Sequence, residues 1–183
     1  MRIVAGSHRG RTIDGPKWEG VRPTADSLRE TLFNVIGPKI EGLRVLDAFA
    51  GTGAVGLEAL SRGADHATFI ERDPRSIKLI ESNVSRLFGA DDAKRRCAII
   101  RADFITMRHA GPFELVFLDP PYELAELDDA IRRASALAAP AGRVIVEHSR
   151  KRQVPETVPG LAKYRTLTAG DSALSFYTAP ESV

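Results

Sequence analysis

Val45-Leu46-Asp47-Ala48-Phe49-Ala50-Gly51-Thr52-Gly53-Ala54-Val55-Gly56 decides the fold. An apolar run ends in a turn of small residues, and helix-forming residues follow at once. Gly51, Gly53 and Gly56 satisfy G-x-G-x-x-G, and the acid Glu71 closes the next apolar run. This is the pattern of the first βαβ unit of a dinucleotide-type fold. Glycines at such a turn let backbone approach a ligand, and the helix start offers N–H groups without intrahelical partners. The motif predicts a site for a ligand with an adenosine-like end. By itself it leaves a nicotinamide, a flavin and S-adenosylmethionine open.

Outward from the turn, strand and helix alternate. Leu43 to Ala48, Ala67 to Glu71, Ala98 to Arg101, Glu114 to Leu118 and Arg143 to Glu147 read as strands. Ala54 to Arg62, Pro74 to Phe88 and Leu124 to Ala138 read as helices, the second with proline in its first turn. Near-continuous apolar strands separated by helices imply a parallel sheet covered on both faces. Lys163 to Thr168 and Ala173 to Thr178 depart from that rhythm. The joint Ala169-Gly170-Asp171-Ser172 is too short for a crossover, so this pair must be antiparallel. The expectation is an α/β, Rossmann-like, mostly parallel seven-stranded sheet closed by an antiparallel hairpin.

Met1 to Pro23, rich in glycine, arginine and proline, cannot build a core and reads as a basic hairpin or loop extension. Pro23-Thr24 opens a helix with Thr24 as its N-cap, stopped by Gly37-Pro38. The 183 residues are expected to form one domain, and no run approaches the length of a membrane span or a signal-peptide core. The hydrophobic share of 43% and charged share of 27% are those of a soluble globular chain. The one cysteine, Cys97, excludes an internal disulfide and reads as a buried strand thiol, fitting a cytoplasmic protein. The four histidines have no metal-ligand spacing, so no metal is expected. Net charge is only +2, but basic residues cluster at Arg2, Arg9, Arg11, Lys17 and Arg22, at Lys94-Arg95-Arg96 and at Arg150-Lys151-Arg152. Such clusters favour a polyanionic substrate.

The fourth strand runs into Asp119-Pro120-Pro121-Tyr122. Ligands of open α/β sheets bind at the carboxyl ends of strands, so this tetrapeptide belongs beside the glycine turn. Prolines stiffen the loop and donate no N–H, which leaves a carboxylate, free carbonyls and an aromatic face. An exocyclic amine is a poor nucleophile because its lone pair is delocalised into the ring. The Asp119 carboxylate and the Pro120 carbonyl are suited to hold its two N–H bonds and localise that pair toward an incoming methyl group. Tyr122 would stack on the base. A nicotinamide-dependent oxidoreductase leaves this loop and the closing hairpin without a role.

The two motifs together resemble the class I S-adenosylmethionine-dependent methyltransferases of exocyclic amines. Within them the chain resembles the bacterial 16S ribosomal RNA guanine-N2 methyltransferases, the small-subunit methyltransferase D family. The marks are Met1-Arg2-Ile3-Val4 with Arg9-Gly10-Arg11, Arg22-Pro23-Thr24, Arg29-Glu30-Thr31-Leu32-Phe33-Asn34, Asp47 to Gly53, Glu58-Ala59-Leu60-Ser61-Arg62-Gly63-Ala64 and the Asp119 loop. Ala5-Gly6 stands where the family has two glycines. The resemblance implies S-adenosylmethionine as cofactor, lined by Asp47, Phe49, Ala50, Gly51, Thr52 and Gly53. Glu71 would hold the ribose hydroxyls with Arg72 beside it, Asp103 and Phe104 would meet the adenine, and Asp119 would border the cofactor. Asp119, Pro120, Pro121 and Tyr122 would be catalytic. Arg9, Arg11, Arg22 and Arg29 would contact phosphates of 16S rRNA or of the assembled small subunit, with a base flipped into the pocket. Asn83 is expected to be structural, Gly56 to serve helix packing, and the protein to be a monomer. DNA adenine N6 and a protein glutamine are alternative acceptors.

Overall fold

A computed structural model describes residues 1–16, 26–108 and 111–180. Eight strands form one sheet in the order β3-β2-β1-β4-β5-β8-β7-β6. They are β1 (Arg44–Ala48), β2 (His66–Glu71), β3 (Cys97–Arg101), β4 (Phe113–Leu118), β5 (Ala138–Ser149), β6 (Thr157–Val158), β7 (Leu161–Ala169) and β8 (Ser172–Thr178). The first five run parallel, and β8 turns antiparallel against both β5 and β7. The helices are α1 (Asp26–Ile36), α2 (Ala54–Ser61), α3 (Pro74–Arg96) and α4 (Leu127–Leu137). The expected Rossmann-like α/β architecture is therefore present, with eight strands rather than seven. The additional β6 has two residues, too few to leave any periodic signal.

Side-chain alternation along the strands divides the core. Val45, Leu115, Phe117, Ile145 and Phe176 face Leu28, Leu32, Phe33 and Ile36 of α1, while Leu46, Val116, Val144 and Tyr177 face Ile131, Ala134 and Leu137 of α4. Helix α3 runs beyond the expected end at Phe88. Gly89, at φ 72° and ψ 173°, breaks the helix, and a second helical stretch carries Lys94, Arg95 and Arg96 in its last turn. Positive charge there complements the helix dipole. Cys97 follows at the start of β3, half-buried rather than buried as expected, and desolvation pushes its thiol up to about 11.

The first sixteen residues form a hairpin bridged at Arg2 and Thr12, with Ile3 and Ile13 buried against α2 and α3. Glu58 of α2 is its anchor. One carboxylate oxygen accepts from Val4 N–H at 2.8 Å and the other from Ala5 N–H at 2.9 Å, while Arg62 Nε donates at 2.7 Å. Ser61 completes the join, its hydroxyl donating to the Ala5 carbonyl at 2.7 Å and its carbonyl accepting Ser7 N–H at 2.8 Å. A Cβ on Gly6, which sits at φ 85°, would stand 1.8 Å from the Ser61 carbonyl oxygen. Of the Ala5-Gly6 pair, the second position is therefore the one that must be glycine. The proposed start of α1 at Pro23-Thr24 lies outside the described residues, as do Lys17 and Arg22.

Candidate active site

A cleft of about 830 Å³ opens at the carboxyl ends of β1 and β4, where the strand order reverses. The glycine turn forms one side and Asp119–Tyr122 the other, so the fold brings the two sequence motifs into one cavity. Phe49 leaves β1 at φ 61°, a left-handed conformation that is strained for an aromatic residue. This bend is held by Ala50 N–H on the Ile70 carbonyl at 2.9 Å and by Gly53 N–H on the Ala50 carbonyl at 2.7 Å. Gly53, at φ 75°, caps α2 without any side-chain bond. The helix start is served instead by Asp47, whose Oδ2 accepts Gly56 N–H at 2.9 Å. Asp47 is only 2% exposed. Burial pushes its carboxyl up to about 8, with Asp119 and Glu71 adding like-charge repulsion against the opposing Gly56 hydrogen bond. Gly56 itself is a packing residue: a Cβ there would lie 2.3 Å from Phe69 Cε1.

Glu71 ends β2 with its carboxylate wrapped by backbone, accepting from Gly51 at 2.9 Å, Arg72 at 2.7 Å and Asp73 at 2.8 Å. It thereby ties the glycine turn to the start of α3 while lining the cleft. Asp103 Oδ1 accepts Ile105 N–H at 2.8 Å in a tight turn, and Oδ2 lies 4.0 Å from the exposed Arg72 guanidinium. Phe104 meets Phe49 edge-on at a centroid distance of 5.5 Å, giving this end of the cleft an apolar wall. Asn83 is fully buried and structural. Its amide donates to the Asp14 and Thr52 carbonyls at 3.1 and 3.3 Å and accepts Asp14 N–H at 2.9 Å.

The acceptor side contains residues that local sequence patterns did not single out. Tyr122 is fixed by a 2.5 Å hydrogen bond between its hydroxyl and Ser172 Oγ, and Ala169, Gly170, Asp171 and Ser172 all line the cleft. The closing hairpin is thus a wall of the site. Its turn is steadied by Arg150 N–H on the Asp171 carbonyl at 2.8 Å. Glu147, 5% exposed near the end of β5, lines the same cavity. The register pairs Asp47 with Phe117, Phe117 with Ile145 and Leu118 with Val146. Alternation from those pairs sets Asp47, Asp119 and Glu147 on one face of three adjacent strands. The available signal for Glu147 was its place as an acid at the carboxyl end of a parallel strand.

The cleft is strongly acidic. Asp47, Glu71, Asp73, Asp103, Asp119, Glu123, Glu147 and Asp171 line it, against Arg72 as the sole basic residue among the described lining residues.

The arginines expected at phosphates divide. Arg29 is not at the surface: it is 0% exposed, its Nη2 donates to the Arg2 carbonyl at 2.6 Å and its Nε lies 3.7 Å from Glu58. It locks α1 to the hairpin and α2, and cannot reach a phosphate. Arg11 is exposed, but its guanidinium donates to the Arg86 and Leu87 carbonyls at 3.1 and 3.4 Å, capping the first stretch of α3. Arg9 is exposed at the hairpin turn. Arg22 lies outside the described residues.

The family model described as Conserved hypothetical protein 95 matches residues 1–178. The chain is 35% identical over 184 residues to a Bacillus subtilis protein named "Putative rRNA methyltransferase YlbH", covering 97% of this chain and 98% of that one. It is 34% identical over 179 residues to Ribosomal RNA small subunit methyltransferase D of Escherichia coli, covering 97% and 89%. Among solved structures, the Escherichia coli protein named "Putative methyltransferase yhhF" superposes with a TM-score of 0.81 at 34% identity, covering 98% of this chain and 97% of that one.

Proposed function

The chain belongs to the small-subunit ribosomal RNA methyltransferase D family, and on that premise we propose that it transfers a methyl group from S-adenosylmethionine to the exocyclic N2 amine of a guanine in 16S rRNA. The observation that carries this reading is the acid-lined cleft joining the glycine turn to Asp119–Tyr122. A dinucleotide needs a free, electropositive helix start for its pyrophosphate. Here Asp47 occupies the start of α2, and carboxylates outnumber arginine around it. Such a site repels pyrophosphate and attracts a cation. S-adenosylmethionine fits it, supplying when bound a methyl group already activated on a cationic sulfonium.

The residues then divide the work. Asp47 and the backbone of Gly51–Gly53 would hold the methionine end, Glu71 with Arg72 the ribose, and Asp103 with the Phe49–Phe104 wall the adenine. Asp119 and the Pro120 carbonyl would accept the two N–H bonds of the acceptor amine and localise its lone pair. Pro121 stiffens the loop. Tyr122, held by Ser172, would stack on the base and fix its plane. Orientation of this kind contributes on the order of 7–11 kcal/mol where alignment is near ideal. The proton shed by the methylated amine would pass to Asp119 or to water.

The rRNA guanine must leave its stack to enter the cleft. Arg9, exposed at a hairpin turn that packs on Ser61 at the end of α2 away from the cleft, would meet phosphates of 16S rRNA or the assembled small subunit at a distance from the flipped base. We read residues 1–183 as one methyltransferase domain with a basic extension, working in the cytoplasm with its substrate. The test is labelled methyl transfer to small subunits from cells lacking the enzyme, followed by nucleoside analysis. Label on N2-methylguanosine is expected; label on adenine, or in protein, overturns the substrate.

A further inference from the structure

We propose that Glu147 and the Ala169–Ser172 turn form a purine-reading subsite in which the Glu147 carboxylate accepts the ring N1–H of the acceptor guanine. The inference rests on the guanine reading above and adds the residue that would select the base. Glu147 is 5% exposed and lines the cleft, so the described structure keeps a carboxylate at the acceptor end away from bulk solvent. It lies on the strand next to Asp119 and on the same face of the sheet. It is clamped from behind by β8, where Glu147 pairs with Leu174 only two residues from Ser172, the partner of Tyr122.

The chemistry of the base edge makes that placement selective. Guanine presents two neighbouring donors, the N2 amine and N1–H. Adenine and cytosine each present an amine beside a ring nitrogen with a lone pair. When Asp119 and the Pro120 carbonyl take both hydrogens of the amine, the adjacent ring position falls to the next strand, where Glu147 stands. An ionised carboxylate accepts hydrogen bonds and does not donate them, and its two oxygens accept from more than one direction. It welcomes N1–H and repels the lone pair of adenine or cytosine. Discrimination against a base lacking the donor arises because a buried polar group faces a group that cannot pair with it.

The test uses the full chain loaded with S-adenosylhomocysteine and titrated with guanosine monophosphate or 2-aminopurine riboside monophosphate. The second keeps the 2-amino group but has an acceptor at N1. Wild type is expected to prefer the guanine nucleotide by roughly 10- to 100-fold. Glu147→Gln is expected to lose that preference, because an amide can donate to N1, and Glu147→Ala to weaken guanine without gaining 2-aminopurine. Both variants are expected to bind S-adenosylhomocysteine as wild type does, which separates the effect from misfolding. Equal binding of the two nucleotides to wild type, including none of either, overturns the assignment, as does an unchanged preference in a Glu147→Gln chain that still binds S-adenosylhomocysteine. Recovery of N2-methylguanosine alongside either result would leave the proposed function standing and remove only Glu147 from it.

Discussion

Replacing Asp47 with asparagine tests the electrostatic design of the cleft directly. Burial pushes the carboxyl up to about 8, with Asp119 and Glu71 adding to the cost of a negative charge. A bound cation removes that cost, so binding must expel the proton. If the bound carboxylate stays ionised, affinity for S-adenosylmethionine falls roughly tenfold for each pH unit below 8, on the order of 100-fold between pH 8 and pH 6. At pH 7 about 0.9 proton leaves per cofactor bound. Asparagine keeps a carbonyl oxygen for Gly56 N–H but cannot titrate, so the variant should bind weakly with no such slope. The cofactor's own amino group titrates near pH 8, and the difference between wild type and variant cancels it. Calorimetry in two buffers of unlike ionisation heat counts the protons. Equal proton release from both proteins would refute the reasoning. The same group gives a sign for stability. Its carboxyl is raised from the ordinary 3.8, so the ligand-free fold binds more protons than the unfolded chain between 3.8 and about 8. Stability present below that window is lost as pH rises through it, and Asp47→Asn should flatten the corresponding melting curve.

Gly56→Ala pushes a methyl group to 2.3 Å from Phe69 and should cost about 1–3 kcal/mol, read by thermal melting, with Phe69→Leu relieving part of it. Tyr122→Phe keeps the ring and loses the bond to Ser172, so turnover should fall by roughly fivefold, while Tyr122→Ala should fall much further. A Phe variant as inactive as the Ala variant would show that the hydroxyl, not the ring, dominates. Arg29→Met should destabilise by about 3–5 kcal/mol because it leaves Glu58 buried with less counter-charge, whereas Arg9→Ala should leave melting unchanged. Arg9→Ala should instead weaken RNA binding and reduce the salt slope by about one.

The parts of the molecule legible in the sequence are those set by local pattern. Strand β1, the glycine turn and the Asp119 loop each announce themselves within a dozen residues, and the short Ala169–Ser172 joint fixes the antiparallel sense of the hairpin. Partners remote in the chain leave no such trace. Arg29 looks like any surface arginine until Glu58, twenty-nine positions on, is seen taking the hairpin's N–H groups and drawing the guanidinium inside. The acidic wall at Asp171 and the clamp between Tyr122 and Ser172 likewise depend on β8 folding back beside β5. Helix α3 ends beyond the Phe88 that periodicity predicts, because Gly89 interrupts the pattern before the helix resumes.

Strand β8 has a consequence for the order of synthesis. It is the last strand along the described chain, yet it lies inside the sheet, pairing with β5 on one edge and β7 on the other. Its residues from Ser172 to Tyr177 are buried. Until that strand emerges, β5 and β7 have no common partner and Tyr122 lacks its bond to Ser172. A nascent chain stopped short of Ser172 would therefore bear both sequence motifs and still lack a finished cleft. On the proposed function, methyl transfer therefore waits until β8 has been made.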